Sequence, residues 1–418
     1  MTAFETPRIA YLTGHYPAIS HTFILREITA LRALGLTVDS YSIRKPDMSH
    51  LRGAPEQAAA DETFYVLNAA KRPATFLSAQ LAALRNPRRY FAGLKLALKT
   101  GRAGLKGLLY QLFYFAEAVV LAQKLTAQKT THLHNHFADS SANVAMLAAT
   151  LADIPFSYTL HGPAELFEPT SWHLRTKTAR AAFVACISHF CRSQAMYFSD
   201  PDDWGKLRII HCGVIPDHYT EIPKSTGKGM ELVFVGRLTA IKGIRVLFEA
   251  FAKARETCPD LHLTLVGDGD ERPALEELAS SMGDAVTFAG FRTQEEVATY
   301  LAQADVFVLP SFAEGLPVVL MEAMASAKPV ITTQLAGVAE LVTHEKSGFI
   351  VPASDAATLT ARICDLYANP DLREEMGQLG RQTVKDAFDI NTEAARMASL
   401  FVNGPDDDVR PEPYKGKQ

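Results

Sequence analysis

The sequence predicts an α/β protein made of two Rossmann-like domains in tandem, separated by a deep cleft. Two observations carry this. Apolar strand-like runs alternate with helix-period runs, which is the signature of βαβ units and a parallel sheet. The alternation stops at a Pro-, Gly- and Lys-rich stretch, IPDHYTEIPKSTGKGM from Ile215 to Met230, and then starts again. A length of 418 residues agrees, since domains average roughly 150 residues.

Taken in order, Arg8 to Thr13 (RIAYLT) reads as a first strand and Gly14 to Ser20 as its turn. His21 to Leu34 follows as a helix that stops at Gly35, and Leu36 to Ile43 as a second strand. Thr131 to His134, a helix over Ser140 to Leu151 and a strand at Phe156 to Leu160 extend the first domain, placed at 1–215. Residues 216–230 form the linker. The second domain, 231–387, has strands at Leu232–Gly236, Leu261–Gly267, Val286–Gly290, Val306–Pro310 and Pro329–Thr333. Ile244 to Ala254 and Leu316 to Ala327 read as two of its helices. A helix at 388–402 is expected to return to the first domain, and 403–418 (NGPDDDVRPEPYKGKQ) reads as a disordered tail.

Composition excludes several function classes. Lys plus Arg is 42 and Asp plus Glu is 46, a net charge of −4, unlike the strongly basic domains that bind nucleic acid. Five irregularly spaced cysteines give no disulfide framework, and the N-terminus has no signal-peptide pattern, so a cytoplasmic location is expected. Cys186, His189, Cys191, His211 and Cys212 fit no zinc spacing, and no metal site is expected. The most apolar stretch, Gly107 to Ala122, is short of the ~20 residues a membrane span needs and contains Gln111 and Glu117.

One local extreme hides inside the total. Thr63 to Ala116 contains nine basic residues and no acidic one: Lys71, Arg72, Arg85, Arg88, Arg89, Lys95, Lys99, Arg102 and Lys106. Removing this +9 from the total of −4 leaves −13 for the rest of the chain. Basic residues interleaved with Leu, Phe and Tyr suit an interfacial surface on anionic lipid, although a simply solvated helix face has the same composition.

Ligands of open α/β sheets bind beyond the carboxyl ends of the strands, so residues just after strands are the informative ones. Gly236-Arg237-Leu238-Thr239-Ala240-Ile241-Lys242-Gly243 offers a tight turn and two cations, which suits a pyrophosphate or a solvated basic loop. Pro310-Ser311-Phe312-Ala313-Glu314-Gly315-Leu316-Pro317 leads into a helix carrying Glu322, about two turns beyond Glu314. Helix-terminal amides favour phosphate, and carboxylates accept from sugar hydroxyls. Thr159-Leu160-His161-Gly162-Pro163 puts a histidine at a strand end, where it serves either a ligand or the core. His132, His134 and His136 alternate in HLHNHF, so they share a face, and hydrogen bonding is expected of them before metal binding.

The series GRLTAIKG, LVGDGDERPALEEL, FAGF, DVFVLPSFAEGLPVVLMEAMASAKPVITT and GVAELV resembles the family 4 glycosyltransferases, in that family's order. YPAISHTFILREI, HLHNHF and TLHG are similar to its subgroup that builds bacterial exopolysaccharide and other surface glycans. The resemblance implies a GT-B fold and a retaining, metal-independent hexosyl transfer from a nucleotide diphosphate sugar, with no cofactor. Arg237 and Lys242 match the pair that neutralises the donor pyrophosphate. Glu314 matches the glutamate near the transferred sugar, and Glu322 the one that holds the ribose. Gly236 belongs to the phosphate loop, and Gly315 and Leu316 would offer backbone amides. Phe291 and Arg292 fall where backbone lines the base. His161 matches the histidine that reaches the donor sugar, and Gly14 the flexible loop after the first strand. The sequence departs from the family where a Gly often precedes the PVI strand, having Ala327-Lys328-Pro329, and at a frequent Gly-Gly pair, having Ala336-Gly337.

The implied partners are a nucleotide sugar and a glycan or undecaprenyl-diphosphate-linked acceptor. An anionic membrane surface is the third, placing the protein peripherally on the inner face of the cytoplasmic membrane. A GT-B epimerase, a sugar phosphorylase and a non-catalytic nucleotide-sugar scaffold are the alternatives. A Rossmann dehydrogenase is disfavoured because TGHYPAIS after the first strand lacks G-x-G-x-x-G.

Overall fold

The computed structural model describes residues 7–18, 21–47, 53–101, 104–219 and 229–405. The chain divides into two compact units, Met1–His211 with Asn391–Gln418, and Cys212–Ile390.

The first unit is built on seven strands: β1 (Arg8–His15), β2 (Thr37–Arg44), β3 (Phe64–Tyr65), β4 (His132–His136), β5 (Phe156–Leu160), β6 (Val184–Cys186) and β7 (Leu207–Ile209). They lie in the order β3-β2-β1-β4-β5-β6-β7 with every pairing parallel. Ile9, Ala10, Tyr11 and Leu12 are at most 1% exposed, as expected of a central parallel strand covered on both faces. β1 runs two residues further than the sequence suggests. Gly14 therefore lies inside the strand and not in the loop after it.

Helices Pro73–Leu84, Pro87–Lys99 and Leu105–Ala127 carry the basic segment and pack on one another. The third corrects the expectation of a short apolar stretch. It has 23 residues and is long and apolar enough to cross a membrane. In the folded unit, Ala118, Val119, Val120, Leu121, Ala122 and Leu125 are buried, and the helix packs on Ser140–Ala152. Helix Ile390–Asn403 belongs to the first unit from Asn391 onward, where Phe401 meets the rings of Tyr11, His132, His134 and Phe183 edge-on.

The second unit contains β8 (Met230–Val235), β9 (Leu261–Val266), β10 (Val286–Gly290), β11 (Val306–Leu309), β12 (Val330–Thr333) and β13 (Gly348–Val351). Their order is β10-β9-β8-β11-β12-β13, again all parallel. The unit begins at Cys212, earlier than the expected boundary at 215, because Val214 is tied to its far end. The Val214 amide donates to Phe388 O at 3.0 Å, and the Ile390 amide donates to Val214 O at 2.9 Å. Of the expected linker, Pro216–His218 forms a 3-10 turn, while 220–228 lie outside the described residues, as does the tail from 406.

The two departures from the family's glycines fall on left-handed backbone. Ala327 has φ 53° and Ala336 has φ 38°, a region that costs an alanine and suits a glycine. Ala327→Gly is expected to raise stability by roughly 0.5–1 kcal/mol, the relief of the Cβ clash being partly offset by the greater freedom of the unfolded chain. Urea unfolding of the two proteins measures it.

Candidate active site

Because every strand of the second unit is parallel, its carboxyl ends meet along one edge. Strand order reverses between β8 and β11, the position at which α/β sheets open a ligand crevice. The two most informative motifs follow those two strands. Gly243 shows how tightly their loops approach. Its φ is +65°, and a Cβ there would lie 2.1 Å from Pro310 O. The Phe312 amide also donates to Ile241 O at 2.7 Å.

This approach brings Lys242 and Glu314 together. Lys242 Nζ donates to Glu314 Oε1 at 2.6 Å, and Ser311 Oγ donates to the same oxygen at 2.6 Å. Both members of the ion pair are partly buried. Ser311, which sequence reasoning passed over, is fully buried, and its carbonyl accepts from Thr333 Oγ1 at 2.7 Å. Its signal was its place at the start of PSFAEG, directly after a strand.

Arg237 is exposed, on a loop fixed by backbone contacts. The Leu238 amide donates to Asp268 O at 3.0 Å, and the Glu271 amide to Leu238 O at 3.1 Å. A Cβ on Gly269 would lie 2.2 Å from Leu238 O. The DGD motif after β9 is thus the platform for the cationic loop at Gly236, a positioning role that the sequence did not reveal.

Gly315 O accepts from the Gly337 amide at 3.1 Å, and Leu316 is buried. The helix expected from Leu316 starts at Val318, with Pro317 as its cap. Glu322 lies on that helix and is 8% exposed, whereas Glu314 stays in the loop. Phe291 and Arg292 follow β10 on the same edge. The Arg292 guanidinium sits over the Tyr300 ring, 5.9 Å from its centroid, so it is oriented by the helix Gln294–Gln303 that follows it.

The first unit has a second cluster at its strand ends. His161 follows β5 and is 5% exposed. Its ring packs against Phe137 and Phe23, with centroids 4.5 and 4.9 Å apart. Its loop is held by buried Glu165, which accepts from the amides of His161 at 2.9 Å, Gly162 at 2.6 Å and Ala138. Burial pushes Glu165 up to about 7, and the three amide donors oppose that rise. Lys177 is fully buried and donates to Ala138 O at 2.5 Å and Asp139 O at 2.9 Å. Burial pulls it down to about 7. Neither residue was singled out in the sequence. TLHGPAEL held the clue for Glu165, while nothing local marks Lys177.

Gly14 lies on β1, two strands from β5, and among the described residues an added Cβ would meet only Asp139 Oδ2 at 3.9 Å. The histidines of β4 are all buried. His132 Nε2 and His134 Nδ1 share Ser157 Oγ at 2.6 and 2.7 Å, and His134 Nε2 meets Thr159 Oγ1 at 2.8 Å. This is a hydrogen-bonded core. Burial lowers all three and His161 as well, so their neutral forms prevail.

Two Rossmann-like units of this topology define the GT-B fold. Residues 229–369 match the family model described as glycosyl transferases group 1, so the second unit carries a domain of that kind. The chain is similar to the amylovoran biosynthesis glycosyltransferase AmsK of Erwinia amylovora, 27% identical over 369 residues, covering 85% of this chain and 89% of the relative. It is 26% identical over 415 residues to the putative colanic acid biosynthesis glycosyltransferase WcaL of Salmonella typhimurium, covering 94% and 99%. Among solved structures, Anabaena HepE in complex with UDP-glucose superposes with a TM-score of 0.72 at 18% identity, covering 95% of this chain and 99% of that one.

Glu165→Gln places an amide NH₂ against backbone N–H groups that now donate to a carboxylate. It is expected to cost about 1.5–3 kcal/mol, the worth of a hydrogen bond to a charged group. A lowered urea midpoint measures this, and an unchanged one would refute the clamp.

Proposed function

We propose that the protein is a retaining glycosyltransferase of polysaccharide biosynthesis. It moves a hexose from a nucleotide diphosphate sugar to a hydroxyl of a glycan or lipid-linked acceptor. The observation that carries this is the Lys242–Glu314 pair, formed where the loops after β8 and β11 meet beside Arg237. The group 1 glycosyltransferase match and relatives named for amylovoran and colanic acid synthesis support the transfer and its biological class.

In this reading Arg237 and Lys242 bind the diphosphate, and Glu314, itself held by the Ser311 hydroxyl, keeps the ammonium in place before the donor arrives. Breaking the anomeric C–O bond leaves negative charge on the β-phosphate. Preorganised cations stabilise that charge more in the transition state than in the bound donor, so they accelerate the chemical step. The amides of Gly315 and Leu316 add dipolar stabilisation, and Glu322 accepts from the ribose hydroxyls. Phe291 and Arg292 line the base, and Gly14 leaves room for phosphate. His161 contacts the transferred sugar. The acceptor hydroxyl attacks from the face the leaving group departs, and the leaving phosphate takes its proton. These side chains supply the charge compensation, and the scheme uses no metal or cofactor.

Replacing Arg237 or Lys242 by Ala is expected to lower kcat/KM by about 10²–10³-fold, the usual effect of removing one preorganised charge-stabilising donor. A donor found by thermal-shift screening and product analysis by proton NMR measure both the rate and the anomeric outcome. Near-normal transfer in either variant would sink the phosphate assignment. Inversion at the anomeric carbon would sink the displacement. Free sugar phosphate or an epimerised nucleotide sugar as the product would favour the phosphorylase or epimerase reading instead.

The acceptor side is proposed to rest on an anionic membrane on the cytoplasmic side. Leu77, Leu81, Phe91, Leu105 and Phe113 are 60–73% exposed across the three basic helices, far more apolar surface than a solvated face usually presents. Arg85, Arg88, Lys95, Lys99 and Lys106 are exposed beside them. Arg89 is an exception, being paired with Asp153, and Arg102 lies outside the described residues. Reversing Arg88, Lys95 and Lys99 to Glu should abolish flotation with anionic vesicles, each basic residue being worth about 1 kcal/mol near such a surface. Equal recovery of the native protein on anionic and neutral vesicles would defeat the proposal.

A further inference from the structure

Two thiols of the second unit meet although 106 positions separate them in sequence. Cys258 Sγ lies 3.7 Å from Cys364 Sγ. Cys258 follows the helix Ile244–Arg255, and Cys364 sits on the helix Ala356–Ala368. These helices pack on each other, and Thr360 Oγ1, one turn before Cys364, lies 3.3 Å from Ala250 O of the first. Thr257 Oγ1 completes a triangle with the thiols, 3.7 Å from Cys258 Sγ and 3.6 Å from Cys364 Sγ.

The pair is asymmetric. Cys258 is 3% exposed, whereas Cys364 is half-buried. Burial pushes the Cys258 thiol up, so it stays protonated at neutral pH. A reagent arriving from solvent therefore meets Cys364 first, with Cys258 waiting behind it. Closing the sulfurs from 3.7 Å to the roughly 2.05 Å of a disulfide takes a movement of about 1.7 Å. Metal binding is the competing use of two adjacent thiols. Among the described residues no third metal-ligating side chain joins them, and structural zinc takes four ligands.

We propose that Cys258 and Cys364 form a two-cysteine oxidation site, which a peroxide closes reversibly into a disulfide. The Cys364 thiolate sulfur attacks a peroxide oxygen. An S–O bond forms, the O–O bond breaks, and Cys364 becomes a sulfenic acid as one water leaves. The Cys258 sulfur then attacks the Cys364 sulfur, so that the S–S bond forms, the S–O bond breaks, and a second water carries off the Cys258 proton. Two thiols lose two electrons and hydrogen peroxide gains them. In a reducing compartment such a bond is transient, as in redox sensing.

The placement sets the consequence. Cys258 comes just before β9, so the pair lies toward the amino ends of the strands, the edge away from the Lys242–Glu314 pair. The closed loop contains β9 to β13 and constrains the unfolded chain, so the oxidised protein should melt at a higher temperature.

The test treats the reduced full-length protein with hydrogen peroxide, removes the excess, alkylates free thiols and maps peptides by mass spectrometry without reductant. The expected product is a Cys258–Cys364 linked peptide short of two hydrogens, which dithiothreitol abolishes. Held together by the fold, the pair should link about 10-fold faster or more than in urea-unfolded protein. Cys258→Ser removes the resolving thiol, and its Cys364 should then be trapped by dimedone as the sulfenic acid. Thermal unfolding should show a raised midpoint after oxidation of the native protein and none in Cys364→Ser. Recovery of both cysteines alkylated, or of Cys364 over-oxidised beside an alkylated Cys258, would overturn the proposal. Equal linking rates in folded and unfolded protein would overturn it too. An unchanged midpoint in fully linked protein would refute the constraint on unfolding.

Discussion

Parallel strand pairing is the constraint on which the rest of the molecule depends. It sends every carboxyl end of a sheet to one edge, so residues far apart in sequence become neighbours without any long-range side-chain contact to recruit them. In the second unit, Lys242 and Glu314 are 72 positions apart, yet their loops follow adjacent strands. In the first unit the same rule assembles Tyr11, His136 and His161 from β1, β4 and the end of β5.

The consequence for charge is direct. An ammonium and a carboxylate in a partly buried loop would each be costly alone, and the 2.6 Å pair compensates both before any ligand arrives. Ser311 and the crowded Gly243 turn then fix where that pair sits. Arg237 is arranged differently, exposed on a loop that backbone contacts to the DGD segment hold in place. One cation is held by a side chain and the other by the chain path, a division that suits a group carrying several negative oxygens.

Much of the fold was legible because its signal is local. Phe156–Leu160 and Val286–Gly290 were read to the residue, since short apolar runs bounded by Gly, Pro or Asp announce buried parallel strands. β3, β6 and β7 were missed because strands of two or three residues carry no periodicity. The loop residues Lys242 and Glu314 stood out by following strands. Glu165, Lys177 and Ser311 did not, because their value lies in which backbone groups they meet, and tertiary packing decides that. The alanines at 327 and 336 stand out in the sequence as departures, but only their positive φ shows what those departures cost.

In the proposed function, the β8–β11 edge receives a diphosphate through Arg237 and Lys242. The most direct measurement is a crystal structure with a nucleoside diphosphate bound. The distal phosphate is expected within hydrogen-bonding distance of both cations, with Lys242 turned from Glu314 toward it. A diphosphate bound elsewhere, with the Lys242–Glu314 pair undisturbed and Arg237 in solvent, would contradict it.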